Sequence, residues 1–215
     1  MTEKDDSKST DLRALIGLPD LDLDWKTIRN DPEVRAAAQW AKKEEEVEDI
    51  EAFLAAYSRA TDSGLSLEEV SESPDAICIR QDGSKVGVEI TNVRRSPEQA
   101  SWERIHNHHD EMDAEEAADE VIRLIGQKTS LRPQFKTAET ILVVAICEAD
   151  FNFVVNLVKG IPLDDWANTG FSEIWLADFR GIREGAHREA RLFGLYPEEY
   201  RVVTERSWYD QKPYG

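Results

Sequence analysis

Long apolar runs are missing from this 215-residue sequence, cysteine is scarce, and positive charge is outnumbered by negative charge. No apolar run approaches the roughly 20 residues that a membrane-spanning helix needs. The first ten residues, MTEKDDSKST, are polar and charged, which is not typical of a signal peptide. We therefore expect a cytoplasmic protein that does not enter a membrane.

The two cysteines, Cys78 and Cys147, both lie inside apolar runs. This placement favours buried free thiols in a reducing compartment over a disulfide framework. A chain of this length can bury a core without disulfides or metals, as one domain or as one domain with an appendage.

Positive charge is outnumbered, because 26 Lys and Arg residues face 44 Asp and Glu residues and the formal net charge is −18. Such a chain is soluble and lacks the overall basic footprint of a nucleic-acid binder. A local basic patch can coexist with an acidic remainder. The charge also keeps a second class open, an acidic protein that binds basic protein surfaces.

The order of predicted elements is helix, hairpin, helix, strand, helix, strand. A helix begins near Pro32 and ends at Gly64, with a break near its Lys-Lys-Glu-Glu-Glu run as an alternative. The later elements are a hairpin turning at Asp82-Gly83, a helix over 110–128, a buried strand over 140–148, a helix over 151–160, a strand over 172–179 and a final edge strand over 200–205. This order predicts an α/β fold with a central mixed sheet flanked by helices. We expect a disordered tail at 1–10, a helical appendage at 11–43 and the α/β domain at 44–215.

Two carboxylates stand at one end of the predicted hairpin, in the stretch SPDAICIRQDGSKVGVEIT. Strand alternation places Glu89 with Gly87 and Thr91 on the face opposite three aliphatic residues. Asp75 begins the partner strand, so its carboxylate and that of Glu89 can converge. One interpretation is a metal site, and the other is a solvated hairpin with ordinary charges.

Helical periodicity adds two charged residues to this space. At about 100° per residue, Glu46 projects closest to the apolar stripe of the first helix, and Lys128 continues the core stripe of the second. Buried charges are costly unless they are paired or bound to metal, and hard oxygen ligands suit Mg²⁺ or Mn²⁺. The alternatives are a solvated helix flank for Glu46 and a helix C-terminal cation for Lys128.

The order of helix Glu, PD, VGVEIT and helix Lys resembles the PD-(D/E)XK nuclease superfamily over roughly residues 44 to 197. The resemblance implies a restriction-endonuclease-like core that hydrolyses phosphodiesters with Mg²⁺ or Mn²⁺. Asp75, Glu89, the Ile90 carbonyl and Glu46 would then be metal ligands. Thr91 stands where the motif has lysine, so either activity is lost or the lysine has migrated, with Lys128 as the main replacement and Lys85 as the weaker one.

Other polar residues near the motif are candidates for substrate contacts. Arg94 and Arg95 follow the Glu89 strand and either contact phosphates or form a solvated strand end. His106, in the run HNHHD, either belongs to a polar loop near the site, touching substrate, or to a zinc site. Thr91 itself lies beside the expected ligands.

The sequence therefore predicts a metal-dependent nuclease whose partner is nucleic acid, with DNA as the expected substrate. The alternative is a nuclease-like fold without catalysis that serves as an acidic protein-binding or inhibitory module. A protein partner or a homodimer is compatible with either.

Overall fold

The computed structural model describes residues 32–94, 112–182 and 188–210. The chain divides into two units, residues 1–44 and 45–215, and the whole sheet lies in the second. The elements in chain order are α1 (Pro32–Thr61), β1 (Leu65–Val70), β2 (Ala76–Arg80), β3 (Lys85–Val93), α2 (Ala114–Leu131), a 3-10 turn (Arg132–Gln134), β4 (Thr140–Ile146), α3 (Phe151–Val158), α4 (Leu163–Ala167), β5 (Glu173–Ile182), β6 (Arg188–Tyr196) and α5 (Glu198–Asp210).

The six strands form one mixed sheet in the order β1-β2-β3-β4-β5-β6. The first three strands form an antiparallel meander, β3 to β5 run parallel, and β6 returns antiparallel to β5. Every residue of β4 is buried, as expected for a continuous apolar strand covered on both faces. The predicted α/β class, with a mixed sheet flanked by helices, is confirmed.

The sheet carries a hydrophobic core on each face. On one face, α1 packs through Ile50, Phe53 and Tyr57 against strand residues that include Val86 and Val88. On the other face, α2, α3 and α4 cover a core that includes the strand residues Val93, Leu142 and Val144. Because side chains alternate along β3, Glu89 points to the face covered by α2.

One predicted element was wrong, and two strands were not predicted. The run over 200–205 is helical within α5, and the edge strand beside β5 is β6, which was not predicted. Pro197 followed by Glu198 and Glu199 is typical of a helix start and outweighs the β propensity of Val202 and Val203. The other edge strand, β1, was also not predicted, because five of its six residues are exposed and its apolar alternation is weak.

The first helix is continuous, as predicted, so the alternative of a break is wrong, but the helix ends earlier than predicted. It runs without a break from Pro32 through the Lys-Lys-Glu-Glu-Glu run and ends at Thr61 rather than at Gly64. Asp62 follows with a φ of 53°, a left-handed conformation that Asp tolerates and that stops a helix.

Candidate functional site

The β2–β3 hairpin brings Asp75 and Glu89 together. Gly83 has a φ of 85° in the turn between the strands. Ala76 pairs with Val88, so in this antiparallel register Asp75, which precedes Ala76, lies opposite Glu89, which follows Val88. The Asp75 carboxylate accepts a hydrogen bond of 2.7 Å from the Ile90 N–H to Oδ2. Ile90 pairs with Val143 of β4 but lies past the last paired residue of β2, so on the β2 side its N–H meets the Asp75 carboxylate and not a strand backbone.

A glycine on β3 allows neighbouring loops to close over this strand. A Cβ at Gly87 would lie 2.6 Å from Pro74 Cγ and 2.4 Å from Thr137 Oγ1. The Pro74 ring precedes Asp75 directly, and Gly87 lies two residues before Glu89 on the same face. Because Gly87 has no side chain, Pro74 and Thr137 can pack against β3 beside the two carboxylates.

Lys128 supplies the positive charge of the site. It follows the buried face of α2, and its Nζ donates to Glu89 Oε1 at 2.5 Å. The predicted core face of α2, which continues to Lys128 and leaves Gln127 exposed, is confirmed. Glu89 is only 5% exposed, and such burial requires a partner for a carboxylate.

The two carboxylate oxygens of Glu89 differ in their hydrogen bonding. Among the described residues, Oε2 has no hydrogen-bond partner, although it is buried. A buried acceptor without a partner costs about 1–3 kcal/mol, and more when it is charged. The site therefore has one buried negative oxygen more than the donors of the described residues satisfy.

The electrostatics of Asp75 show the same excess of negative charge. Burial, and next the Glu89 carboxylate, raise the pKa of Asp75 to about 6, with a smaller contribution from Glu46. The Ile90 N–H and the Lys128 ammonium act in the opposite direction. These contributions place Asp75, Glu89, Lys128 and Glu46 within electrostatic reach of one another.

Glu46 is not buried in the core, which corrects the prediction that its charge is held there. It is exposed, as are all the residues from 39 to 46, and the buried acid of α1 is Asp49. Adding the buried residues Ala52 and Ala56 to the predicted stripe leaves Glu46 near its centre, so the direction of Glu46 around the helix is not the reason for its exposure. The reason is that burial of α1 ends near Asp49, which periodicity does not indicate. The role of Glu46 as a metal ligand stays a prediction.

The remaining predicted residues are spread over the hairpin or lie outside the described ranges. Thr91 is half-buried on the Glu89 face of β3, whereas Lys85, at the other end of that strand, pairs with Glu68 at 2.7 Å. Lys85 lies four residues before Glu89, roughly 13 Å along the strand, which argues against it as the replacement lysine. Arg94 is exposed. Burial raises the pKa of the Cys147 thiol and the Arg94 charge opposes that rise, so Arg94 lies near the end of β4. Arg95 and His106 lie outside the described residues.

Sequence reasoning predicted Lys128 but missed that it belongs to a basic segment beside the site. Residues 121–138 contain Arg123, Lys128, Arg132 and Lys136 and no acid, in a chain with 44 acidic residues. Lys136 is exposed, and the Arg132 guanidinium donates to the carbonyls of Thr137 and Ala138. Because Thr137 contacts the strand at Gly87, this segment adjoins the carboxylates. Charge counted in windows along the sequence is the signal that identifies it.

A second buried carboxylate, Glu173, was also missed but does not belong to this site. It accepts hydrogen bonds from Arg80 at 2.8 Å, from Tyr57 at 3.1 Å and from Trp175 at 2.9 Å. Both oxygens are satisfied within the core that α1 covers. This network links elements and is not a vacant ligand set.

The donor set suits a hard cation with few protein ligands. In the described part of the chain, no three His, Cys, Asp or Glu side chains are placed to hold a metal ion together. Mg²⁺ is usually bound by one or two carboxylates with water and substrate oxygens. Asp75, Glu89 Oε2 and the Ile90 carbonyl therefore fit such an ion, although the residues that the structure describes form no closed three-acid cage.

Comparison with protein families, with curated proteins and with solved structures found no match for this chain. The resemblance to PD-(D/E)XK nucleases therefore remains a prediction. Within the described ranges, no helix is long and apolar enough to cross a membrane.

Proposed function

We propose that the protein hydrolyses phosphodiester bonds of nucleic acid, with DNA as the expected substrate, in a reaction that depends on Mg²⁺ or Mn²⁺. One observation carries the proposal: Asp75, Glu89 and Lys128 meet on one sheet face, and the buried Glu89 Oε2 has no partner among the described residues. Buried carboxylates in excess of their counter-ions are expected at cation sites and are costly elsewhere.

The roles of the residues follow from their contacts. Asp75, oriented by the Ile90 N–H, and Glu89 would hold the cation with the Ile90 carbonyl. A bound divalent cation polarises the phosphate and lowers the pKa of an attacking water. The Lys128 ammonium, which lies next to Glu89, would offset negative charge that develops on the phosphate oxygens. The exposed Lys136 offers a contact to the flanking backbone.

Cleavage of defined substrates tests the proposal. The protein is incubated with DNA and RNA in Mg²⁺ or Mn²⁺, beside Asp75→Asn and Glu89→Gln. We expect cleavage by the unaltered protein and a loss of at least about 100-fold in each variant, because each removes a carboxylate of the site. Glu69→Gln, which changes an exposed acid on β1, is the matched control and retains activity. Cleavage that survives both site substitutions overturns the proposed site.

The alternative is a nuclease-like fold without catalysis that binds basic protein surfaces. Thr91 at the motif lysine position, the closed Lys128–Glu89 pair and the net charge of −18 favour it. Absence of both cleavage and Mn²⁺ binding supports this alternative. Metal binding together with cleavage excludes it.

A further inference from the structure

We propose that Lys128 competes with the divalent cation for Glu89, so that its ammonium group occupies the carboxylate until metal binds. The inference rests on the proposed function because it concerns the same site. It assigns Lys128 a second role, in which its charge raises the metal concentration that is needed to fill the site.

The position of the ammonium group is set by the packing of α2. The residues before it on the same helix face are buried, namely Ala117, Ala118, Val121, Leu124 and Ile125. Asp113 caps the start of the helix by accepting from the Glu115 N–H. The Lys128 side chain is 21% exposed and that of Glu89 is 7% exposed, so their contact is largely shielded from water.

Lys128 and a cation would use the same negative charge. The ammonium group holds Oε1 of Glu89, and Oε2 of that carboxylate is the buried oxygen with no partner among the described residues. A cation on Oε2 and Asp75 would lie close to the ammonium group, and like charges repel strongly where water is excluded. Metal binding must therefore overcome the Lys128 charge or displace it from Glu89.

This geometry makes a prediction about metal affinity that differs from that of a lysine which only assists the reaction. If Lys128 competes, removing its charge strengthens metal binding even while cleavage falls. If Lys128 only orients water or substrate, removing its charge leaves metal affinity unchanged. If Lys128 organises the ligands, removal weakens metal binding.

Titration with Mn²⁺, followed by calorimetry and by the electron paramagnetic resonance of the free ion, separates these cases. Lys128→Met keeps the length of the side chain and removes the charge. We expect its Kd for Mn²⁺ to be at least about tenfold lower than that of the unaltered protein, and its melting temperature to rise more on metal addition. Lys85→Met removes a lysine from the far end of β3 and leaves the Kd unchanged. Adding Glu89→Gln to Lys128→Met abolishes the gain.

A Kd equal to or higher than that of the unaltered protein overturns the inference. If Lys128→Met folds only with metal, Lys128→Gln takes its place in the titration, because glutamine retains a donor for Glu89 without the charge. A lower Kd for Mn²⁺ in Lys128→Gln then supports the inference, and an equal or higher Kd overturns it. The failure of the proposed function is distinguishable. Mn²⁺ binding without cleavage refutes the nuclease and leaves the competition intact, whereas cleavage without tighter binding in the variant refutes only the competition.

Discussion

Gly87 has no room for a side chain. A Cβ there would meet the Pro74 ring and Thr137 at less than 3 Å, so Gly87→Ala forces the loop before Asp75 to move. We expect a loss of about 1–3 kcal/mol in the free energy of unfolding, the range for overpacking a closed position. Urea unfolding of the metal-free protein measures it.

Gly126 is the matched control for this substitution. It lies inside α2, and a Cβ there meets no atom of the described residues within 4 Å. Gly126→Ala should stabilise the protein by about 0.5–1 kcal/mol, because alanine loses less entropy in a helix. Similar losses in both variants would show that the Pro74 contact does not restrict Gly87.

Asp75 makes stability depend on pH in an unusual direction. Its pKa is raised from 3.8 to about 6 in the folded chain, chiefly by burial and then by Glu89. Between these values the folded state binds more protons than the unfolded state, so this group lowers the free energy of unfolding as pH rises from about 4 to about 6. The contribution is present at lower pH and is lost above about 6.

The substitution Asp75→Asn tests this dependence in the metal-free protein. Asparagine retains an acceptor for the Ile90 N–H but does not titrate, so the decline assigned to Asp75 should disappear. The carboxyl carbon of Asp75, followed by nuclear magnetic resonance, should titrate near pH 6. An unshifted midpoint near 4 contradicts the prediction.

At the scale of elements, the Glu173 network joins α1 and α5 to two strands. Tyr57 from α1, Arg80 at the end of β2 and Trp175 on β5 all donate to the Glu173 carboxylate. The Tyr57 hydroxyl also lies 3.5 Å from that of Tyr200 on α5. Burial and the Glu173 charge raise the pKa of Tyr57 well above its ordinary value, so it stays a neutral donor.

Loss of the Glu173 charge should loosen these elements together. We expect Glu173→Gln to cost about 3 kcal/mol, the lower end for breaking a buried pair, because Arg80 is partly exposed. Glu139 lies 3.6 Å from the same guanidinium but is mostly exposed, so Glu139→Gln should cost less than about 1 kcal/mol. Thermal unfolding compares the two variants. Equal losses would show that Arg80 depends as much on the exposed carboxylate.

At the scale of the whole molecule, the net charge of −18 opposes the compact state. Raising the salt from about 0.01 M to about 0.1 M shortens the screening length from about 30 Å to about 10 Å, which weakens this self-repulsion. The melting temperature should therefore rise over that range, as calorimetry will measure. A fall would show that surface ion pairs such as Lys85–Glu68 outweigh the repulsion.

The site could be predicted where a short-range pattern sets the direction of a side chain. Alternation along β3 placed Glu89 opposite the aliphatic face, and the helical period of α2 led to Lys128. The same method failed for Glu46, because a period indicates direction around a helix but not where the packed surface ends. It also left open which oxygen of Glu89 would be paired.

The sequence by itself determined the α/β class, the hairpin and the central strand, because apolar periodicity and turn residues act over a few positions. Only the tertiary structure decided that β1 and β6 are the edges, that Asp49 and not Glu46 is buried, and that Glu173 is satisfied. These features depend on contacts between residues far apart in the chain. Burial, pairing and charge balance are properties of such contacts, and no local pattern contains them.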